Sequence, residues 1–311
     1  MLIAVTGGNG FVGKRLVANA LGRGFRVRSL SRHGRGPDLE GVETFCGTLG
    51  VDPPDRFIPF LEGVDAVIHC AGELTDTARM EATHVGGTRD LLAAAAGRVG
   101  HWVQLSSVGV YGPIRTGCVT EDYPLRPAGT YEVTKAAADE LVLASAARGD
   151  LSATLLRPSI VFAEDMPNDS LRQMGRAIEK GLFFFVGRPG ASANYVHADD
   201  VADALLFCAA EPQARGRIFN LSGWASMEAF VSGLANGLGC PVPRRRAPLW
   251  LVRPAARLLR FLPHFPLTPA RVDAVTSRVR YSSARIEAAG FSIRNAPASA
   301  ITAVAAGWRR R

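Results

Sequence analysis

The stretch YEVTK, residues 131–135, places a tyrosine and a lysine four positions apart. On a helix, residues at this spacing share one face and lie one turn apart. A phenol next to an ammonium group can transfer protons, because the positive charge stabilises the phenolate. The same spacing also occurs in surface pairs and in packing residues near the start of a helix. The surrounding sequence has to show which of these interpretations applies to Tyr131 and Lys135.

Two serines end the predicted strand that comes before this helix. Residues 101–107, HWVQLSS, predict a strand that ends at Ser106 and Ser107, and the next long predicted helix carries Tyr131 and Lys135. In a parallel α/β sheet, the carboxyl end of a strand and the start of the following helix lie at the edge where ligands bind. We therefore expect a hydroxyl, a phenol and an amine to converge at one point there, where they could take part in proton transfer.

Glycines follow the first predicted strand at the spacing GxxGxxG. Gly7, Gly10 and Gly13 come directly after the apolar run LIAVT and open a predicted helix. Glycines at these positions let the backbone turn tightly and approach a pyrophosphate, whose negative charge is attracted to the helix N-terminus. Because the motif has the strand-turn-helix context that it needs, it predicts a dinucleotide site.

The end of the second predicted strand bears on the choice of cofactor. A carboxylate there accepts a hydrogen bond from a ribose 2′-hydroxyl and favours NAD. The sequence SLSRHGR has Ser31 and Arg32 instead and no acidic residue. Because a guanidinium group can bind a 2′-phosphate with two hydrogen bonds, the sequence favours NADP over NAD. The alternative is an exposed arginine without a ligand role.

Composition narrows the class of protein. The chain has 311 residues, of which 47% are hydrophobic and 21% charged, which argues against a disordered or fibrous protein. Its five cysteines are scattered and form no CxxC pair, so we predict no disulfide framework and no metal site, and a reducing, cytoplasmic location. The first residues show no signal-peptide pattern, and no apolar run reaches the roughly 18 residues of a membrane span.

Predicted strands alternate with predicted helices over residues 1–160. This alternation predicts an α/β fold with a doubly wound parallel sheet. After Pro158 the alternation weakens, and the residues that follow Ser226 are mostly helical. We expect the later segments to form a smaller cap, so that a ligand lies in the cleft between the cap and the sheet.

Seven motifs carry a resemblance to a known family. They are TGGNGFVG (6–13), VDAVIHCAG (64–72), HVGGTRDLL (84–92), LSSVGVYG (105–112), YEVTK (131–135), LRPSIVF (156–162) and YVHADDVADAL (195–205). In this order the chain resembles the extended short-chain dehydrogenase/reductase family, the NAD-dependent epimerase/dehydratase group. The resemblance implies a Rossmann-type domain at residues 1–160, to which residues 191–221 return. It also implies a smaller, discontinuous, mostly helical C-terminal substrate domain at residues 161–190 and 222–311, and hydride chemistry at a carbinol or carbonyl carbon.

The resemblance implies roles for individual residues. Aligned on VYG, Ser107 rather than Ser106 matches the catalytic serine or threonine, which would orient the substrate oxygen. Tyr131 would be the general acid in reduction and the general base in oxidation, while Lys135 would lower its pKa and bind the nicotinamide ribose. The residues expected to contact the cofactor are Gly7, Gly10, Phe11, Val12, Gly13, Arg32, Cys70, Ala71, Gly72, Tyr131, Lys135 and Pro158.

Two positions depart from the family pattern. Thr48 stands where many members have an aspartate that contacts adenine, and His84 stands where they have an asparagine. We interpret His84 as an ordinary buried histidine rather than as a replacement for that asparagine. Asp199 and Asp200 are interpreted as structural, one of them capping the next helix.

The positive charge is concentrated at one end of the chain. The last 71 residues, 241–311, contain fourteen arginines and two acidic residues, a net charge of +12, which leaves −4 of the total +8 for the rest. A basic segment indicates an anionic partner, and Arg271, Arg278 and Arg280 are candidates to bind the diphosphate of a nucleotide-sugar. A solvated basic face is the alternative.

The favoured function is a 4-keto reductase or a C4 epimerase that acts on a nucleotide-sugar. Dehydration is disfavoured, because Val108 and Gly109 follow Ser107 where the family's dehydratases have acidic residues. An alternative is a hydroxysteroid-type dehydrogenase acting on an apolar alcohol near a membrane, since residues 248–267 interleave apolar residues and arginines. For that stretch, a helix that packs on its own domain is favoured over membrane-surface contact.

An alternative of another class is a non-catalytic NAD(P)-binding sensor or assembly subunit, which is disfavoured because the tyrosine and the lysine are both kept. We expect no nucleic-acid partner, because the basic segment lacks interleaved aromatic residues on which bases could stack. The resemblance also implies a homodimer formed through two long helices.

Overall fold

The computed structural model describes residues 1–258 and 268–309. The strands are β1 (Leu2–Thr6), β2 (Arg26–Ser31), β3 (Val42–Cys46), β4 (Ala66–His69), β5 (His101–Leu105), β6 (Thr116–Val119), β7 (Ser152–Pro158), β8 (Ile160–Phe162), β9 (Phe185–Val186), β10 (Ser192–His197), β11 (Ile218–Leu221), β12 (Gly223–Ser226), β13 (Arg246–Ala247) and β14 (Arg278–Tyr281). The helices are α1 (Gly13–Gly22), α2 (Ile58–Leu61), α3 (Thr77–Met80), α4 (Gly87–Ala95), α5 (Thr130–Ala147), α6 (Ser170–Glu179), α7 (Ala198–Ala210), α8 (Met227–Leu238), α9 (Leu249–Leu258), α10 (Pro269–Thr276), α11 (Ala284–Ala288) and α12 (Pro297–Trp308).

A parallel sheet forms the centre of the protein. Among the described residues it has seven strands in the order β11-β7-β5-β4-β1-β2-β3. The chain moves outward from β1 on one side and from β4 on the other, so the topological switch point lies between these two strands. Ligands of open α/β sheets bind outside the carboxyl ends of the strands at such a point.

The sheet is buried on both faces, as the apolar strand sequences require. In β1, Ile3 and Val5 pack with α1 and α7 on one face, whereas Leu2 and Ala4 belong to a second core with Phe57. This division follows from the period of two in a strand, which sends successive side chains to opposite faces. Two helical layers therefore hold the carboxyl ends of the strands in fixed positions.

The cap is built on a second, three-stranded sheet in the order β12-β10-β8, with α6, α8 and α12 packed around a separate apolar core. Helices α8 and α12 approach each other closely, because a Cβ atom on Gly233 would lie only 2.2 Å from the carbonyl oxygen of Ala298. Two short parallel pairs, β9 with β13 and β6 with β14, complete the strands of the described chain.

The predicted fold class is confirmed: the protein has a Rossmann-type parallel sheet with flanking helices and a helical C-terminal region. Within residues 191–221, α7 packs on α1 and β11 joins the edge of the main sheet, whereas β10 pairs with β8 and β12. The division into domains at the stated residues stays a prediction.

The segment 248–267 is described only as far as Leu258, so the rest of that predicted stretch lies outside the described residues. No helix in ranges 1–258 and 268–309 is long and apolar enough to cross a membrane.

Candidate active site

The glycine loop connects β1 to α1 at the switch point of the sheet. Gly7 has a φ of 70°, in the left-handed region that favours glycine. A Cβ atom on Gly7 would lie 2.8 Å from the nitrogen of Ala71, and one on Gly13 would lie 2.0 Å from the carbonyl oxygen of Gly7. The loop is thus packed so closely that larger residues do not fit, and it leaves the amino end of α1 without an acidic residue. These features suit the phosphates of a dinucleotide.

A cavity of about 340 Å³ opens beside this loop. Its lining brings together Gly7 and Gly10 of the loop, Arg32 after β2, and Ala71 and Gly72 after β4. Cys70 and Thr48 also line it. The sequence-predicted residues on this side therefore surround one space, and a guanidinium group rather than a carboxylate lies at the end of β2.

The other six residues predicted to contact the cofactor do not line this cavity; they are Phe11, Val12, Gly13, Tyr131, Lys135 and Pro158. The ring of Phe11 packs against the core of the cap, and Val12 packs against the core below the sheet. Pro158 is the buried last residue of β7, where its register partner is Leu221 of β11. Their contact with a cofactor stays a prediction.

Ser106 and Ser107, which are adjacent in sequence, have different partners. Ser106 is buried, and its hydroxyl donates to Oδ2 of Asp139 over 2.6 Å. Ser107 caps a short turn, where its Oγ accepts a hydrogen bond from the nitrogen of Gly109 over 3.0 Å. Because accepting this bond does not use the hydroxyl hydrogen, Ser107 can still donate to a ligand oxygen.

Tyr131 and Lys135 lie one turn apart at the start of α5. Tyr131 is half-buried, whereas Lys135 is buried and its Nζ donates to the carbonyl oxygen of Leu105 over 2.5 Å. Leu105 is the last residue of β5, so this bond ties the lysine to the strand that leads into Ser107. The ammonium group has three donors, of which this bond uses one.

The residues around Tyr131 favour its protonated form. Burial raises the pKa of Tyr131 to about 12, and the carboxylates of Glu132 and Asp139 act in the same direction. Burial also lowers the pKa of Lys135. Burial is the largest cause of this raised pKa among the groups of the chain. That Lys135, together with a nicotinamide ring, lowers the pKa of the phenol stays a prediction.

His84 is the residue that packs directly against the phenol. The two rings meet edge to face with centroids 5.6 Å apart. His84 Nε2 accepts from the nitrogen of Glu73 over 2.8 Å, so we assign the proton to Nδ1, which bonds Oγ1 of Thr134 over 2.8 Å. Burial lowers the pKa of His84 to about 4 and keeps the ring neutral. It is a buried histidine, as the sequence favoured.

A buried ion pair that the sequence analysis missed lies behind the lysine. Asp139 and Arg157 are both almost fully buried and bond over 3.2 Å, and Arg157 also donates to the hydroxyl of Tyr111 over 3.1 Å. Burial raises the pKa of Asp139, while Arg157 opposes that shift. Oδ1 of Asp139 has no hydrogen-bond partner in the part of the chain that the structure describes. A possible sequence signal was the spacing of Asp139, one turn after Lys135 on α5.

Glu132 is a second residue that the sequence analysis missed. A Cβ atom on Gly109 would lie 2.9 Å from Cγ of Glu132, 3.7 Å from its Oε1 and 3.3 Å from Oγ of Ser107. The glutamate therefore occupies the space that a side chain at position 109 would fill. No acidic residue follows Ser107 directly in the sequence, but the fold places Glu132 of α5 beside Gly109, two positions after Ser107.

The three arginines predicted to bind a diphosphate have different partners in the structure. Arg271 donates to Oε1 of Gln173 over 2.9 Å, whereas the guanidinium of Arg280 lies 3.6 Å from the ring centroid of Trp224. Arg278 alone of the three lines a large cavity in the cap and donates to the carbonyl oxygen of Pro189. Their joint role at one diphosphate stays a prediction.

The prediction that Asp199 or Asp200 caps α7 is wrong. The cap is His197, whose side chain accepts from the nitrogen of Asp199. Asp200 instead accepts from the backbone nitrogens of Arg294 and Asn295. In the part of the chain that the structure describes, no group of three His, Cys, Asp or Glu side chains is placed to hold a metal ion.

The sequence profile of the NAD dependent epimerase/dehydratase family matches residues 3–222. The chain belongs to this family. The matched range contains the glycine loop, both serines and the tyrosine-lysine pair. The residues of the candidate site therefore lie within the part of the chain that matches the family.

The proteins to which this chain is similar are named for different activities. The chain is 32% identical over 304 residues to sterol demethylase protein B of Methylococcus capsulatus, covering 92% of this chain and 88% of that protein. It is 29% identical over 246 residues to dTDP-glucose 4,6-dehydratase of Streptomyces griseus, covering 72% and 74%. A solved structure from Agrobacterium tumefaciens, a short-chain dehydrogenase/reductase superfamily protein with bound NAD, is 25% identical with a TM-score of 0.76 and coverage of 100% and 97%.

Proposed function

We propose that this protein is an NAD(P)-dependent oxidoreductase that moves a hydride between a nicotinamide and a carbinol or carbonyl carbon. The observation that carries the proposal is the arrangement at the carboxyl edge of the sheet. Lys135 is tied to the end of β5, Tyr131 lies one turn before it, and Ser107 keeps a hydroxyl hydrogen to donate. The cavity beside the glycine loop opens at the same edge.

The bound cofactor supplies or accepts the hydride. In reduction, Ser107 donates a hydrogen bond to the carbonyl oxygen and orients it, and Tyr131 donates its phenolic proton to the same oxygen. A pKa of about 12 keeps the phenol protonated at neutral pH, the form that donates a proton to a carbonyl oxygen. In oxidation Tyr131 would accept the proton, and the free donors of Lys135 would stabilise its phenolate.

NADP is favoured over NAD in this proposal. Arg32 lines the dinucleotide cavity with Ser31 and His33, and no carboxylate follows β2. A guanidinium group there offers two hydrogen bonds to a 2′-phosphate.

The first substrate candidate is a nucleotide-sugar, which would make the enzyme a 4-keto reductase or a C4 epimerase. The dTDP-glucose 4,6-dehydratase relative and the net charge of +12 after residue 240 support it. A homodimer remains part of this prediction.

The second candidate is an apolar alcohol or ketone. The relative with the fuller coverage, sterol demethylase protein B, supports it.

Two measurements test these proposals. The purified protein is mixed with NADPH or NADH and either a dTDP-4-keto-sugar or a 3-keto steroid, and loss of the reduced cofactor is followed. Oxidation of NADPH by one substrate class and not by the other assigns the class; oxidation with neither, at any pH, would contradict both candidates. Mass spectrometry of released cofactor separates the two reactions on a nucleotide-sugar, since tightly retained NAD would indicate an epimerase and exchangeable NADP a reductase.

A further inference from the structure

The helix α9 is apolar on two sides. Val252 and Ala256 face inward and pack in a small core with Val186 and Val272. On the outside, Trp250 is 76% exposed, Leu251 is 55% exposed and Leu258 is 78% exposed. A helix on the surface of a globular protein normally has one apolar stripe, which faces the core. The outer stripe of α9 is therefore a second apolar surface, which no residue of the ranges 1–258 and 268–309 covers.

Arginines surround the base of this stripe. They line a cavity of about 1100 Å³ together with Trp250, and they are Arg188, Arg246, Arg253, Arg257 and Arg278. Arg246 pairs with Glu228 over 2.6 Å and Arg253 with Asp273 over 2.8 Å.

Among the described residues, the remaining three arginines form no ion pair with a carboxylate. Arg278 donates to the carbonyl oxygen of Pro189. Within the ranges that the structure describes, Arg188 and Arg257 form no ion pair and no side-chain hydrogen bond. One side of the cap thus combines exposed apolar side chains with uncompensated positive charge.

We propose that this side of the cap docks on an anionic lipid bilayer. Trp250, Leu251 and Leu258 enter the boundary between the headgroups and the acyl chains, and Arg188 and Arg257 bind lipid phosphates. Interfacial helices have this combination of an aromatic and aliphatic face with flanking arginines. Their binding adds burial of apolar area to attraction by anionic lipids. The inference goes beyond the proposed function and does not depend on it.

Other occupants fit the surface less well. A second copy of the chain, related by a two-fold axis, would bring the two sets of arginines face to face, and like charges in an interface are repulsive. A nucleic acid would match the charge, but its phosphates offer nothing to cover the two exposed leucines. A lipid bilayer satisfies both the charge and the apolar stripe.

Vesicle flotation of the full chain tests the docking surface. We expect the protein to float with vesicles of phosphatidylcholine and phosphatidylglycerol at a ratio of roughly 2:1, and not with phosphatidylcholine alone. Trp250→Ser with Leu251→Ser removes the apolar contribution, and Arg188→Gln with Arg257→Gln removes the charge. Each double variant should lower the partition coefficient roughly tenfold or more.

Matched controls are Val51→Ser and Arg26→Gln, which change an exposed apolar residue after β3 and an exposed arginine in β2, neither of which lines the large cavity of the cap. Both should float like the unmodified chain. Failure of the unmodified protein to bind anionic vesicles overturns the proposal. Equal vesicle binding by either double variant would also overturn it. A dimer or a complex with duplex DNA would overturn it too, if it forms in place of vesicle binding and is lost with Trp250→Ser.

Discussion

The hydroxyl of Ser106 donates to Oδ2 of Asp139, 2.6 Å away, inside the protein. This bond gives the two neighbouring serines different partners. Ser106 belongs to the buried pair of Asp139 and Arg157, whereas Ser107 keeps a hydrogen to donate at the carboxyl edge of the sheet.

Ser107→Ala and Ser106→Ala should therefore have different effects. Loss of the Ser107 hydroxyl should lower kcat by roughly 10²-fold, as expected for a donor that stabilises the reacting oxygen, with little change in the free energy of unfolding. Loss of the Ser106 hydroxyl removes a bond to a buried carboxylate and should cost about 1–3 kcal/mol of stability. Urea unfolding and steady-state kinetics on both variants check this, and a larger kcat defect in Ser106→Ala would reverse the assignment.

Arg32→Gln should change the choice of cofactor. We expect the Kd for NADPH to rise about tenfold or more, because charged hydrogen bonds to the 2′-phosphate are lost, while the Kd for NADH stays the same. Arg35→Gln, three residues on and outside the cavity lining, is the matched control. Titration calorimetry measures both constants. If Arg32→Gln weakens the binding of NADPH and of NADH equally, the arginine does not bind the 2′-phosphate.

Gly13→Ala should abolish cofactor binding, because the added methyl group would lie 2.0 Å from the carbonyl oxygen of Gly7. Gly22→Ala, at the other end of the same helix, meets nothing within 4 Å and should be neutral or slightly stabilising. Fluorescence titration of NADPH and thermal unfolding distinguish the two variants. Normal NADPH affinity in Gly13→Ala would show that the loop does not approach the phosphates as described.

Glu132→Gln should move the pH dependence of both directions of the reaction. The carboxylate helps to raise the pKa of Tyr131, so its removal should lower that pKa. Oxidation needs the phenolate, and its rate should therefore rise at lower pH than in the unmodified enzyme. Reduction needs the protonated phenol, so as pH increases its rate should begin to fall at a lower pH than in the unmodified enzyme.

Profiles of kcat/KM against pH measure this shift. Glu140→Gln, an exposed carboxylate further along α5, serves as the control and should leave the profile in place. Superimposable profiles for Glu132→Gln and the unmodified enzyme would exclude electrostatic coupling of the glutamate to the phenol.

The features of the site that can be predicted from the sequence are those formed by residues close together in the chain. The glycine loop, the position of Arg32 after β2 and the turn between Tyr131 and Lys135 each lie within one strand-turn-helix unit, and the structure places them at one edge of the sheet. The buried pair of Asp139 and Arg157 joins α5 to β7, and such contacts between elements leave no periodic signal in the sequence.

Glu132 shows the same limit at the site itself. Its neighbour Gly109 is 23 positions away in the chain, and only the packing of α5 on the turn after Ser107 brings the two together. The three arginines on α10 and β14 were grouped by their charge and their closeness in sequence, and the structure gives each of them a different partner. Their joint role at one diphosphate stays a prediction.

The central claim is that Tyr131 gives its proton to the substrate oxygen, and the turnover of Tyr131→Phe tests it most directly. On the ketone that the unmodified enzyme reduces, kcat should fall by about 10²–10⁴-fold while the Kd for NADPH stays unchanged. Tyr123→Phe, which changes an exposed phenol, should keep full activity. A Tyr131→Phe enzyme with a kcat within a few-fold of the unmodified protein would contradict the account.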